Sequence, residues 1–144
     1  MNEVSPAMPP LTVNVQYIKD LSFEVPGAPA IFADTTDAPE VPIQVDVQYG
    51  QVGPSMYEVL LHIKINAHLN ERPVFIVDVT YGGVFTVHVP EEQVRPILLI
   101  EGPHLLFPFL RAIISDLTRD GGFPPLLIQP LDFAQLYHQR AAQA

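Results

Sequence analysis

The histidines and carboxylates are the side chains here that could do acid–base or metal chemistry, and their spacing argues against both. His62 and His68 share one face of a predicted strand, but about 20 Å separates them, too far for one metal ion. Asp20 and Glu24 share another face about 13 Å apart, too far for a paired acid and base. Glycine-rich phosphate loops and serine nucleophile motifs are absent from the sequence. We therefore expect no catalytic residue, no metal site and no cofactor, and interpret the histidines as structural or solvent-facing.

The composition restricts the class of protein and its partners. With 144 residues, 48% of them hydrophobic, the chain can build one domain with a sizeable core. It has no cysteine, which excludes disulfides and thiol nucleophiles and suits the cytoplasm. A formal net charge of −9 disfavours nucleic acid and anionic membrane surfaces and favours a basic protein partner. We expect no secretory signal, and expect the apolar stretch around Ile97 to be too interrupted by charge to span a bilayer.

Alternating apolar and polar residues predict strands at residues 11–25, 41–49, 57–69 and 74–89. In the first strand, the alternation places Val15 and Tyr17 on the face that packs on the core, and Asp20 and Glu24 on the face exposed to solvent. At about 3.3 Å per residue this strand would reach roughly 50 Å, so we expect it to bend or to run past one subunit's sheet. We also expect a bulge or bend where the fourth strand passes through residues 82–83, both glycine.

The apolar stretch at residues 94–117 predicts helices interrupted by proline. Pro96, Pro103 and Pro108 predict a short helix to residue 100, a break at 101–103 and a new helix from Pro108. The new helix would have an apolar face made by Phe109, Leu110, Ile113, Ile114 and Leu117. A last helix, residues 133 to about 139, is predicted to be capped by Asp132.

Strands followed by helices predict an α+β fold, a four-stranded antiparallel sheet with helices packed on one face. We expect residues 11–140 to form a single domain, residues 1–10 a flexible arm and residues 141–144 a frayed tail.

Two predicted surfaces could bind partners. The first is a flat acidic face of the sheet, hereafter the acidic face, formed by Asp20, Glu24, Asp46, Glu58 and Asp78. The second surface is an apolar groove. The sequence has more apolar residues than one such sheet would be expected to bury, which indicates either a well-filled core or an oligomer with an exposed apolar groove. The candidate groove walls are the loop at residues 123–130 and the last helix.

Five motifs, in order along the chain, resemble the SecB family of protein-export chaperones. They are KDLSFEVPGAP at 19–29, YEV at 57–59, YGGVF at 81–85, LFPFLR at 106–111 and GGFPPLLIQPLDF at 121–133. The resemblance covers roughly residues 11–137. It implies a four-stranded sheet with helices on one side and a tetramer, a dimer of dimers with the main helices packed between subunits. It also implies ATP-independent binding of unfolded precursor proteins and their delivery to the SecA motor ATPase at the membrane.

The resemblance also implies two sets of site residues. The positions matching the SecA contact are Asp20, Glu24, Ile76 and Asp78. The positions matching the client groove are Ile43, Val45, Phe133, Leu136 and Tyr137. Some family members carry a longer polar C-terminal tail that helps to engage SecA, whereas this sequence ends soon after the predicted last helix.

Two other functions remain open from the sequence. A hot-dog thioesterase also wraps a sheet around a helix, but its helix comes early between strands, whereas here the strands come first. A SecB-like chaperone dedicated to one toxin–antitoxin partner would share the groove without needing the acidic face. Asp20, Glu24 and Asp78 favour the general export role.

Overall fold

The computed structural model describes residues 9–34 and 37–143. Of the predicted arm only Pro9 and Pro10 are described, and Ala144 lies outside the described residues. The strands are β1 (Leu11–Glu24), β2 (Ile43–Gly53), β3 (Met56–Leu69) and β4 (Arg72–Val87). The helices are α1 (Ala30–Asp34), α2 (Glu91–Asp120) and α3 (Phe133–Gln143). The last helix thus extends beyond its predicted end near residue 139.

The strands form one antiparallel sheet in the order β1-β4-β3-β2, so that β1 and β2 are its two edges. The predicted four-stranded antiparallel sheet and the α+β class are therefore confirmed. β2 runs further than predicted, to Gly53, and turns into β3 through Ser55, which has a positive φ of 56°. α1 lies in the connection between β1 and β2, where Ile31 is buried.

The core lies on one face of the sheet. Its floor consists of odd-numbered residues of the two central strands, which are Val59, Leu61, Ile63, Ile65, Ala67, Phe75, Val77, Val79, Tyr81, Phe85 and Val87. Its roof is α2, whose buried positions are spaced by four residues at Leu98, Gly102, Leu106, Leu110, Ile114 and Thr118. Residues four apart lie on one side of a helix, so this stripe runs unbroken along α2.

The predicted break at residues 101–103 is wrong, because α2 is one helix of 30 residues with Pro96, Pro103 and Pro108 inside it. Each internal proline removes a backbone hydrogen bond and costs about 3 kcal/mol or more. Each apolar side chain buried along the stripe stabilises by roughly 1.5–3 kcal/mol, which is the same order. Packing on the sheet therefore keeps the helix continuous where the local sequence favours a break.

Gly102, interpreted as part of the break, is instead the point of close approach between α2 and the sheet. A Cβ atom on Gly102 would lie 3.1 Å from both Cγ atoms of Val59. Phe109 was predicted on the buried face, but it lies beside the stripe that passes through Leu110 and is 50% exposed.

The predicted facing of β1 is wrong in its middle, because the strand contains two register shifts against β4. They lie between Val13 and Val15 and between Ile18 and Asp20. Each shift inserts one residue, so the first turns the following side chains to the other face and the second restores the phase. Val15 therefore lies on the outward face, 50% exposed.

The sequence predicted a bulge or bend at Gly82 and Gly83, but the bulges of this sheet region lie in β1. β4 passes through both glycines in regular register with Leu60 and Val59. The glycine at 82 provides room for the ring of Tyr17, which the first bulge brings to the outward face. A Cβ atom on Gly82 would lie 2.8 Å from that ring.

Candidate functional site

Polar groups with catalytic potential are dispersed over the described part of the chain. Within residues 9–34 and 37–143, no group of three or more His, Asp or Glu side chains could hold a metal ion. His68 contacts Glu40 at 3.1 Å, and the buried Thr118 hydroxyl donates to the Ile114 carbonyl at 3.1 Å. The first contact joins β3 to the segment before β2 and the second lies within α2, so the two belong to separate parts of the fold.

The acidic face is assembled on the side of the sheet opposite α2. Cross-strand pairs align Asp20 with Thr80, Ser22 with Asp78 and Glu24 with Ile76. Neighbouring strands lie about 4.7–4.9 Å apart, so the four predicted SecA-contact residues form one patch on β1 and β4. Both bulges of β1 come before Asp20 in the chain. The second bulge restores the alternation of side chains that the first one shifts, so Asp20 and Glu24 face outward as predicted.

The carboxylates of the acidic face differ in how they are paired. Asp78 contacts Nε2 of His62 at 2.5 Å, and Asp46 accepts a hydrogen bond from Arg140 at 2.7 Å. Asp20 and Glu24 are exposed and have no ionic partner among the described residues. The charge available to a partner is therefore concentrated on β1.

Glu58 is the most enclosed of these carboxylates. It accepts a hydrogen bond from the Tyr17 hydroxyl and contacts Nζ of Lys19 at 3.0 Å. The hydrogen bond from Tyr17 lowers the pKa of Glu58 below its usual value, and Lys19 adds to the effect. Burial and the same hydrogen bond raise the pKa of Tyr17 to about 12. Lys19 and Tyr17 are brought to Glu58 by the two bulges of β1, so this cluster depends on the register shifts.

A groove runs between α3, α2 and the edge strand β2, hereafter the α3–β2 groove. One pocket of about 150 Å³ is lined by Val47, Arg95, Leu99, Leu136, Tyr137, Arg140 and Ala141. A second of about 210 Å³ is lined by Val45, Leu131, Asp132, Gln135, Leu136 and Gln139. Leu136 lines both pockets, so it lies between them, and the groove has room for about one side chain on each side.

The predicted client-binding residues fall at different depths. Val45, Leu136 and Tyr137 line the groove, and Ile43 lies at the exposed start of β2, 37% exposed. Phe133 is buried in the core, 3% exposed, and its ring meets that of Phe107 at 6.0 Å. In this conformation Phe133 supports the groove from beneath and is not part of its surface.

Sequence reasoning did not place Arg95, Leu99 and Arg140 in the groove. Arg95 and Leu99 are four residues apart within the predicted short helix to residue 100, so they share one side of α2. The sequence does not show that this side faces α3 and β2. Arg140 was assigned to the end of the chain, beyond the predicted last helix.

The predicted wall at residues 123–130 is anchored on the domain by Phe123 and Ile128, whereas most of its other residues are exposed. The Phe123 ring lies 5.0 Å from Phe75 and 5.3 Å from Phe32, and Ile128 is buried. Leu127 projects from this loop and is 71% exposed.

A separate cluster of exposed apolar residues lies where α2 crosses the β1 side of the sheet. This exposed apolar patch consists of Ile18, Leu21, Leu105 and Phe109, each between 38% and 50% exposed. The Phe109 ring stacks on Tyr81 at 6.3 Å, and Tyr81 pairs with Ile18 across the sheet. On soluble proteins, large contiguous apolar patches are typical of interaction sites.

α2 is long and apolar enough to cross a membrane by length and composition alone, contrary to the sequence-based expectation. A core helix of a soluble domain satisfies the same criterion, and here Leu98, Leu106 and Leu110 are buried on the sheet.

Comparison with known proteins gives a consistent result. The family model described as "Preprotein translocase subunit SecB" matches residues 5–144. A protein-export protein SecB of Paramagnetospirillum magneticum is 59% identical over 94% of this chain and 88% of its own length. The corresponding protein of Rhodospirillum rubrum is 54% identical over 94% of this chain and 84% of its own length.

A solved structure shares the fold. It is a SecB-like chaperone of Mycobacterium tuberculosis in complex with a peptide from an antitoxin. The TM-score is 0.70, with 18% identity over 84% of this chain and 90% of the other. At this identity the likeness supports the fold alone.

Proposed function

The chain belongs to the SecB family of protein-export chaperones, and on that basis we propose that it holds unfolded precursor proteins in the cytoplasm without ATP and delivers them to the SecA motor ATPase. The observation that carries the proposal is 59% identity, over 94% of the chain, to a protein-export protein. The family is one of chaperones and not of enzymes, so nothing supports the thioesterase alternative.

We propose that the α3–β2 groove holds the client. Its walls combine aliphatic side chains from three elements with the ring of Tyr137, and it lies beside an edge strand that is open to solvent. Apolar segments of an unfolded chain gain roughly 25 cal/mol for each Å² of apolar surface they bury, without needing a defined sequence. Ile43, Val45, Leu136 and Tyr137 are the contacts proposed at the groove surface.

We propose that the acidic face docks SecA through Asp20, Glu24, Ile76 and Asp78. The two unpaired carboxylates, Asp20 and Glu24, flank Asp78 on the neighbouring strand, so the patch presents several negative charges together. Such a patch attracts a basic segment over a distance of about one Debye length, 8 Å at physiological salt. The face is on the opposite side of the sheet from α2, which leaves the groove and the docking patch accessible together.

We propose that the exposed apolar patch packs against further copies of this chain in a tetramer, a dimer of dimers. The patch combines residues of the edge strand β1 and of α2, and the family resemblance implies that the main helices pack between subunits. Its side chains Phe109 and Ile18 are each about half exposed in the single chain. A symmetric oligomer would bury the same surface on each partner.

The direct test is suppression of the aggregation of a reduced, alkylated lactalbumin diluted from denaturant. We expect the wild type to suppress aggregation equally with and without ATP. The double variant Leu136→Asp/Tyr137→Asp should lose most of this protection, because an unpaired charge in an apolar site costs several kcal/mol. Leu127→Asp is the matched control, because Leu127 is an exposed leucine outside the groove. Equal protection by the double variant and the wild type would place the client elsewhere.

Capture from cytosol distinguishes general export from a dedicated partner. A general export chaperone retains many unfolded precursors, whereas a chaperone dedicated to one toxin–antitoxin pair retains one protein. Recovery of one partner only, together with no binding to SecA, would contradict the export role.

A further inference from the structure

The edge of β2 exposes a defined set of backbone groups. Glu40 and His68 exchange both of their backbone hydrogen bonds, at 2.8 and 2.9 Å. The same register continues from this pair to Ile43 and Ile65 and along the strands. In an antiparallel ladder such mutually bonded pairs alternate with pairs that are not bonded. Even-numbered residues of β2 are therefore bonded to β3, and the backbone groups of Ile43, Val45 and Val47 point to the open edge.

Arg140 occupies one of these open positions. Its Nη2 donates to the carbonyl oxygen of Val45 at 2.7 Å, which is the acceptor that the N–H of an added strand would take. Its Nη1 donates to Oδ1 of Asp46, also at 2.7 Å. One guanidinium thus joins α3 to the edge of β2 through both a backbone and a side-chain acceptor.

The contact of Arg140 with the edge of β2 is exposed to solvent. The side chains of Arg140 and Asp46 are 42% and 41% exposed, and ion pairs this exposed are individually weak. Water and an incoming cation both reach this site without disturbing the core. Displacement of Arg140 frees the Val45 carbonyl and the Asp46 carboxylate together.

We propose that Arg140 is a displaceable clasp on the edge of β2, and that an extended client segment takes its place by adding a strand to that edge. The occupant has a defined chemistry. On one face its alternate side chains are apolar and enter the α3–β2 groove beside Leu136. On the other face a Lys or Arg takes over the Asp46 carboxylate that Arg140 leaves. The inference rests on the proposed client-holding function and adds a positioning residue and a client preference to it.

The first test measures association of a fluorescent eleven-residue peptide with alternating valines and one central lysine on the opposite face. Arg140→Gln should increase its association rate and affinity by about threefold, in keeping with loss of an exposed ion pair. Arg140→Lys, which retains the charge but has no planar fork, should lie between the two. Arg119→Gln is the matched control, an exposed arginine paired with Asp116 on α2, and should bind like the wild type. Equal binding by Arg140→Gln, Arg140→Lys and the wild type would overturn the clasp.

The second test separates strand addition from simple apolar contact. N-methylation of alternate peptide amides in one register should abolish binding, whereas methylation in the other register should leave it nearly unchanged. Equal effects of both registers would overturn strand addition.

Asp46 provides the test of the client preference. In the wild type, a peptide with norleucine in place of the central lysine should bind more weakly, and Asp46→Asn should remove that difference. An equal preference for lysine in Asp46→Asn and in the wild type would overturn the role of Asp46. If the wild type fails to hold unfolded lactalbumin, the proposed function fails; if it holds lactalbumin while the Arg140 variants are unchanged, only the clasp fails.

Discussion

The two faces of the sheet are made by the same strands but are specified by different forces. On the helix side, residues such as Leu61 and Leu110 are fully buried and each side chain fits its neighbours. On the acidic face, side chains such as Asp78 and Glu58 are partly solvated and interact mainly through charge. Substitutions on the first face should therefore change the stability of the fold, and those on the second should change the choice of partner.

The largest effect is expected from truncation on the buried face. Leu110→Ala should lower the free energy of unfolding by about 2–5 kcal/mol, because it removes apolar contacts and leaves a cavity beneath α2. Urea denaturation measures the difference. Leu127→Ala, at a position 71% exposed, should change stability by no more than about 0.5 kcal/mol. Equal losses for the two variants would contradict the division between the faces.

The exposed apolar patch should show an intermediate behaviour, because we propose that it is buried only on assembly. Light scattering of the wild type should give about four times the chain mass of 16.0 kDa. Phe109→Asp should give smaller species with an intact sheet, since the charge would have to be desolvated at the interface. Val52→Asp, on an exposed valine of β2 outside the patch, should leave the mass unchanged. A wild type that is monomeric at micromolar concentration would contradict the tetramer.

The smallest effect per residue is expected on the acidic face. Asp20→Lys, Glu24→Lys and Asp78→Lys should each weaken SecA binding by up to about 1 kcal/mol, and their combination should weaken it progressively. Wild-type affinity should also fall as salt rises. Calorimetric titration of SecA at two salt concentrations measures both, with lactalbumin holding as the control for an intact groove. If the triple variant binds SecA as tightly as the wild type does at low salt, the acidic face has no role in SecA binding.

The most accurate predictions from the sequence concern elements that pair regularly with their neighbours, without bulges or interruptions. β3 lies between two other strands and keeps strict alternation, so its predicted range, residues 57–69, differs from the observed strand by one residue. The outward position of Asp20 and Glu24 could likewise be predicted, because the second bulge restores the phase that the first one shifts. The acidic face follows from the same period-two pattern.

The remaining features depend on distant partners. In β1 the alternation fails only at Ile18 and Lys19, beside the second bulge, and no residue marks the first one. The bulges bring Tyr17 over Gly82 on another strand. The break predicted in α2 rested on a sound local rule, which the stripe of residues four apart overrides through its contact with the sheet. The clasp of Arg140 requires both the full length of α3 and the edge position of β2.

The three prolines of α2 also bear on the order in which the molecule can form. Isolated helices gain little stability even from favourable sequences, and a helix that lacks three of its own hydrogen bonds is a poor nucleus. α2 therefore requires a surface to fold against. All four strands precede it in the chain, so during synthesis from the N-terminus the template for this helix leaves the ribosome before the helix itself.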